Sequence, residues 1–206
     1  MDLLVVLFLY NMNLKKVFNF IKEKRGYDYP VVYKIIKGLP LTDDDLNVEG
    51  NLYFVNTKVT SLPDNLKVEG SLDLTGTNIE SLPKKLSVGN YLDISQTKIK
   101  EIPGDINIGG SLILNFTERI EYLPDNLKIG GFLELSNSNI KKLPDNLYVG
   151  TSLYINNTNI DTIPNNLHVG GIIYLKNTPL SKKYNKDEIN KIIMAKGGHG
   201  VRNIFL

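Results

Sequence analysis

The chain has 206 residues and a formal charge of +2, from 24 lysines and arginines set against 22 aspartates and glutamates. That balance is too mild for a nucleic-acid binder, which concentrates basic charge on one face. Cysteine is absent, which excludes a disulfide framework and a thiolate metal site and suits a reducing compartment.

The first element is an apolar run from Leu3 to Tyr10. It is far shorter than the ~20 residues a membrane helix needs. A secretory signal carries positive charge ahead of its apolar stretch, whereas here Asp2 leads and Lys15 and Lys16 follow. The expectation is a soluble, unprocessed protein, cytoplasmic in the producing or infected cell with secretion as an effector left open, with no membrane association, its apolar run buried and Met12 offering an alternative start. Next, "NLKKVFNFIKEKRG" over residues 13–26 places Leu14, Val17, Phe18 and Ile21 at helical spacing, with lysines opposite and Gly26 as a stop. "DYPVVYKIIKGLP" adds apolar matter before the first repeat. Residues 1–38 read as an N-terminal cap.

From Leu39 the chain acquires a beat. Leu-Pro or Ile-Pro recurs at Pro40, Pro63, Pro83, Pro103, Pro124, Pro144 and Pro164, with spacings of 23, 20, 20, 21, 20 and 20. The long first step reflects extra residues in "LPLTDDDL"; the 21 reflects one inserted residue in "NFTERI" around Glu118 and Arg119. A period of this length signals a solenoid, here seven units over residues 39–180. Each unit follows L-P-x-x-L-x-V-G-G-x-L-x-L-x-x-T-x-I-x-x. Stretches such as "LKVEGSLDL" alternate with period two and read as strand on either side of a bend. Twenty residues cannot hold a full helix as well, so each coil is strand-rich. Pro closes a corner, and Gly pairs such as Gly109-Gly110 and Gly170-Gly171 are expected to supply positive φ at the bend. The inward Leu, Ile and Val positions make a core only when coils stack at about 4.8 Å. A column of Thr57, Thr77, Thr97, Thr117, Ser138, Thr158 and Thr178 is expected to bond backbone groups up and down the stack.

"LDLTGTNIESLP", "LDISQTKIKEIP" and "LYINNTNIDTIP" resemble leucine-rich repeats, L-x-L-x-x-N-x-L, with Thr or Ser in place of the usual Asn. The trailing Leu-Pro resembles the short class found in bacterial proteins, secreted effectors among them, and in phage and large-virus proteins. The resemblance implies a mainly β repeat solenoid, a leucine-rich-repeat-like parallel β coil with short α-helical caps. Two departures, the missing Leu three residues before the first strand Leu and the added Val-Gly-Gly arm, leave a straighter β-helix as the alternative. After residue 180, "NKDEINKIIMAKGG" reads as a short amphipathic helix started by Asn185 or Asp187, with Ile189, Ile192 and Ile193 as its apolar face. "VRNIFL" reads as a final strand, so residues 181–206 form the C-terminal cap.

Little points to catalysis. His168 and His199 stand in different contexts, and no nucleophile elbow or paired-His metal spacing appears. Asp43-Asp44-Asp45 lacks the alternating oxygen ligands of a calcium loop and reads as a solvated corner. The expectation is no enzyme, catalytic residue, metal or cofactor. Function in a repeat protein sits on positions the architecture leaves free. Flanking the first inward Leu, one outward column reads Tyr53, Asp73, Asp93, Ile113, Glu134, Tyr154 and Tyr174; the column before it includes Tyr91 and Phe132. Exposed aromatics beside charge are typical of protein interfaces. Asp73 and Asp93 match across two units although the core does not require them. The column Asn47, Lys67, Ser87, Asn107, Lys128, Tyr148 and His168 is more polar. An edge carrying Lys58, Lys98, Lys100, Arg119, Lys141 and Lys142 is diluted by Glu80, Glu101, Glu118, Glu121 and Asp161, so no nucleic-acid role is expected. Three readings result: a protein-interaction module using the sheet face, with a host or defence protein as partner if the source is a phage or pathogen; a small-ligand binder or enzyme with a site between solenoid and cap; and an ice- or surface-binding protein using the Thr array.

Overall fold

A computed structural model describes residues 30–199 and 201–206. The apolar run Leu3–Tyr10 and the segment 13–26 lie outside the described residues. The chain divides into two compact units, at Leu41 and Thr42. In the first, helix α1 (Val31–Lys37) ends at Gly38, which takes φ 61° and donates its N–H to Ile35 O. None of the described helices is long and apolar enough to cross a membrane.

The second unit is a parallel β-solenoid. Each repeat gives one short strand to each of two sides. The short side holds β1 (Asn47–Val48), β3 (Lys67–Val68), β5 (Ser87–Val88), β7 (Asn107–Ile108), β9 (Lys128–Ile129), β11 (Tyr148–Val149) and β13 (His168–Val169). The main side holds β2 (Leu52–Tyr53), β4 (Leu72–Asp73), β6 (Leu92–Asp93), β8 (Leu112–Ile113), β10 (Leu133–Glu134), β12 (Leu153–Tyr154) and β14 (Ile172–Tyr174), and β15 (Asn203–Phe205) completes it. Alternation does the work predicted for it. In one coil Leu66, Val68, Leu72, Leu74 and Ile79 are all buried, and their counterparts twenty residues on continue the same columns. On the main side N–H groups donate forward, Leu72 to Tyr91 O at 2.9 Å and Leu74 to Asp93 O at 2.8 Å. On the short side they donate backward, Ser87 to Leu66 O at 3.0 Å and Gly89 to Val68 O at 2.8 Å. Every coil is therefore tied to both neighbours.

Two sequence expectations about the corners are corrected. Gly109, Gly110, Gly170 and Gly171 do not adopt positive φ; they are small because the neighbouring coil's carbonyls press against them. A Cβ on Gly109 would lie 2.5 Å from Gly89 O, and one on Gly170 would lie 2.2 Å from Gly150 O. The left-handed positions fall elsewhere, at Asn65, Lys85, Asn126, Asn146 and Asn166 after the Pro, and at Asn56, Gly76, Gln96, Phe116, Asn137, Asn157 and Asn177 where the chain leaves the main sheet. Asn suits them because its short polar side chain tolerates this region. Its amide also bonds between coils: Asn146 Nδ2 to Asn126 Oδ1 at 2.9 Å, and Asn177 Nδ2 to Asn157 Oδ1 at 2.8 Å.

The second correction concerns the Thr column. From Thr77 to Thr178 its hydroxyls bond within their own coil, to the carbonyl three residues earlier, as Thr77 Oγ1 does to Leu74 O and Thr117 Oγ1 to Leu114 O, at 2.7 and 2.8 Å; Thr57 Oγ1, in the first coil, has no such partner. Backbone groups along the stack are already paired with each other, so the hydroxyl turns to the carbonyl of its own turn, which at Leu74 also accepts Thr77 N–H at 3.1 Å. Thr117→Val, which keeps shape and removes the donor, is expected to lower stability by about 1–2 kcal/mol in urea unfolding. An unchanged midpoint would show the hydroxyl to be dispensable.

The short side is interrupted. Its strands form two sheets, β1-β3-β5-β7 and β9-β11-β13, while the main sheet runs unbroken. The gap follows the coil with the inserted residue and meets a corner that reads Pro103-Gly104-Asp105-Ile106. Asp105 does not take the left-handed conformation found at its equivalents. Gly104 has no carboxylate, whereas Asp64 accepts from Lys84 N–H and Asp145 from Asn165 N–H. A cavity of about 250 Å³ opens there, lined by Pro103, Ile106, Pro124, Leu127 and Lys128 among others.

At the far end two helices follow the last coil. Thr178 caps α2 (Pro179–Lys183) and Asn185 caps α3 (Lys186–Ala195), each in a capping box. Ile189 and Ile193 of α3 are fully buried. The residues that follow imitate one more coil: Asn166 donates to Lys196 O, His199 donates to Leu167 O, and β15 pairs with β14. The main ladder of the last coil is thereby continued by β15, and Leu167 O on the short side takes its donor from the cap.

Candidate protein-interaction face

The main sheet brings the outward residues of the central column into strict register. Tyr53 pairs with Asp73, Asp73 with Asp93, Asp93 with Ile113, Ile113 with Glu134, Glu134 with Tyr154, Tyr154 with Tyr174, and Tyr174 with Phe205. The column has two halves of different chemistry.

The aromatic half is a ladder of rings. Tyr154 and Tyr174 stack with centroids 4.6 Å apart and planes 3° from parallel, and Phe205 continues the stack at 5.1 Å. Phe132 meets Tyr154 edge-on at 6.0 Å, and Lys186 of α3 lies 5.3 Å over the Phe205 ring. The ladder follows from strand spacing, since identical ring positions on adjacent parallel strands fall at stacking distance. Phe205 escaped the sequence reading because it belongs to no repeat; "VRNIFL" was legible as a strand, but not its register.

The acidic half holds Asp73 and Asp93 side by side, with Glu134 beyond Ile113. All three are half-buried, and among the described residues none has an ion-pair partner. The core does not require them, but the turns use them. Asp73 accepts the N–H of Thr75, Asp93 that of Ser95 and Glu134 that of Ser136, each at 2.9 Å. One carboxylate oxygen thus closes the turn leaving the strand. Tyr91, half-buried in the adjacent column, has its phenol held above the ordinary value by burial first, and then by Tyr53 and the carboxylates of Asp73 and Asp93.

The other surfaces are less open to a partner. Half of the basic edge is paired on the surface: Lys100 and Arg119 both reach Glu80, at 3.2 and 3.7 Å, and Lys141 reaches Glu121 at 2.6 Å. The Lys100 hydrogen bond lowers the Glu80 carboxyl. On the short side, Tyr148 stacks on His168 at 4.5 Å, and His168 meets His199 edge-to-face at 5.1 Å. The two histidines, assigned to separate contexts from sequence, are neighbours because the cap loop imitates a coil. Asp45 accepts from both the N–H and the hydroxyl of Thr42, so the acidic triplet shapes its corner. The Thr column is buried from Thr77 to Thr178, which removes those hydroxyls from any water-facing array. Comparison with protein-family models, curated proteins and solved structures found no match.

Proposed function

We propose that this chain is a non-catalytic protein-interaction module, related to the short leucine-rich repeats it resembles, that binds a partner protein through the outward face of its main sheet. The observation that carries this reading is the in-register column of stacked aromatic rings continuing into half-buried carboxylates without counter-charges. Aromatic rings on a rigid sheet bury much area at small entropic cost. Unneutralised carboxylates beside them favour a basic partner and speed its approach. Partner-binding residues are Tyr53, Asp73, Tyr91, Asp93, Ile113, Phe132, Glu134, Tyr154 and Tyr174, now joined by Phe205. If the source is a phage or pathogen, a host or defence protein is the natural target.

The cleanest test is Asp73→Asn with Asp93→Asn. Each asparagine keeps the side-chain oxygen that accepts the turn N–H and removes only the charge. Affinity for the partner captured by the parent chain is expected to fall about tenfold, chiefly through slower association that converges with the parent's at high salt. Equal association rates at low salt would sink the electrostatic part of the reading.

A further inference from the structure

Seven equivalent corners leave the main sheet, and all seven hold a residue in the left-handed region with φ between 55° and 67°. Six carry a residue suited to that conformation or to solvent: Asn56, Gly76, Gln96, Asn137, Asn157 and Asn177. The seventh is Phe116 at φ 55°. A bulky aromatic is strained there, and burial offsets only part of that cost, because Phe116 is 55% exposed. Its coil is also the one with the inserted residue, and it sets Ile113 on the face between Asp93 and Glu134. Folding alone asks for asparagine at this corner. The solenoid instead keeps a strained, exposed phenyl ring at the middle of its length, in the coil between those that carry Asp93 and Glu134.

We propose that Phe116 is the anchor of the interface, seated in an apolar pocket on a folded partner whose rim is basic and faces Asp93 and Glu134. This rests on the reading of the sheet face as a protein-binding surface and adds the partner's chemistry to it. An apolar anchor with a charged surround is how interface energy is usually concentrated. The basic rim follows from charge complementarity with Asp73, Asp93 and Glu134, which have no cation of their own among the described residues.

Phe116→Asn in the full chain separates anchoring from folding. Relief of the left-handed strain is expected to raise the Tm by about 2–4 °C. The probe is the protein that the parent chain captures from an extract of its native cells and that Asp73→Asn/Asp93→Asn releases. Its recovery on Phe116→Asn is expected to fall at least about tenfold, and a benzophenone amino acid at position 116 is expected to cross-link to it. Undiminished recovery, or cross-linking to a partner with no basic surface, would overturn the anchor and leave the sheet-face reading standing. A lowered Tm would make Phe116 a packing residue and overturn it too. A self-association lost in Phe116→Asn would assign the pocket to a second copy of this chain. Capture of nothing that depends on Asp73 and Asp93 would remove both proposals together.

Discussion

Gly150→Ala destabilises the solenoid by about 3 kcal/mol or more, while Gly50→Ala leaves it within about 0.5 kcal/mol of the parent. Both glycines occupy the bend between the short strand and the main strand. A Cβ on Gly150 would lie 2.1 Å from Gly130 O and 2.9 Å from Gly130 C, both backbone atoms of the coil below. Neither can move without pulling on the ladder bonds at Gly150 N–H to Ile129 O and Thr151 N–H to Gly131 O. Gly50 lies in the first coil, with nothing within 4 Å of its added Cβ. Neither glycine takes positive φ, so conformational freedom does not separate the two sites; the coil below does. Urea unfolding followed by circular dichroism measures both variants. Equal effects at the two sites would mean that the coils do not stack at this spacing.

The second large effect concerns binding. Tyr154→Ala with Tyr174→Ala is expected to weaken the proposed partner complex by about 100-fold or more, since buried tyrosines at an interface each contribute on the order of 2 kcal/mol. The same change also removes the stacked pair at 4.6 Å. That costs the free protein about 0.5–1.5 kcal/mol, too little to unfold a continuous eight-stranded sheet. A titration with the captured partner, run beside a circular dichroism spectrum, keeps the two effects apart. Retained affinity in a folded double variant would move the interface off the main sheet, and the Tyr148–His168–His199 cluster on the short side would then be tested first.

The architecture was readable because period and alternation are properties of the chain itself. A column of Leu, Ile and Val every twenty residues has one stable solution, which is to stack. The helix after the last coil was readable from its chemistry, which offered Asn185 or Asp187 as its start, and Asn185 is the residue that caps α3. Which residue takes which corner was not. Gly signals both positive φ and close approach, and only the packed coils show that Gly109 and Gly170 serve the second purpose. The left-handed role passed to asparagines whose recurrence at Asn126, Asn146 and Asn166 was visible but unread. For the face, the columns were correctly enumerated from pattern, yet pattern is silent about hydrogen bonds. Asp73 looked free for a partner, whereas one oxygen is committed to Thr75 N–H. Phe116 could have been found by asking which corner breaks the Asn, Gly and Gln series. His199 could not, because its position depends on how the cap loop lies on the last coil.

The interruption between Ile108 and Ile129 has a thermodynamic consequence. In a one-dimensional stack, cooperativity passes from coil to coil through nearest-neighbour coupling, and the weakest coupling limits how far order propagates. Every other junction among these coils carries a short-strand ladder beside the main sheet; this one keeps the main sheet and the bend bond from Gly131 N–H to Gly110 O at 2.7 Å but lacks the short-strand ladder. The weakest coupling in the solenoid is therefore expected between β1 to β8 and β9 to β15, with amide hydrogen exchange as the measurement that locates it. Amides at the Pro103 and Pro124 corners are expected to exchange earlier than those of the coils on either side, and uniform protection across the junction would show the stack to be one cooperative block.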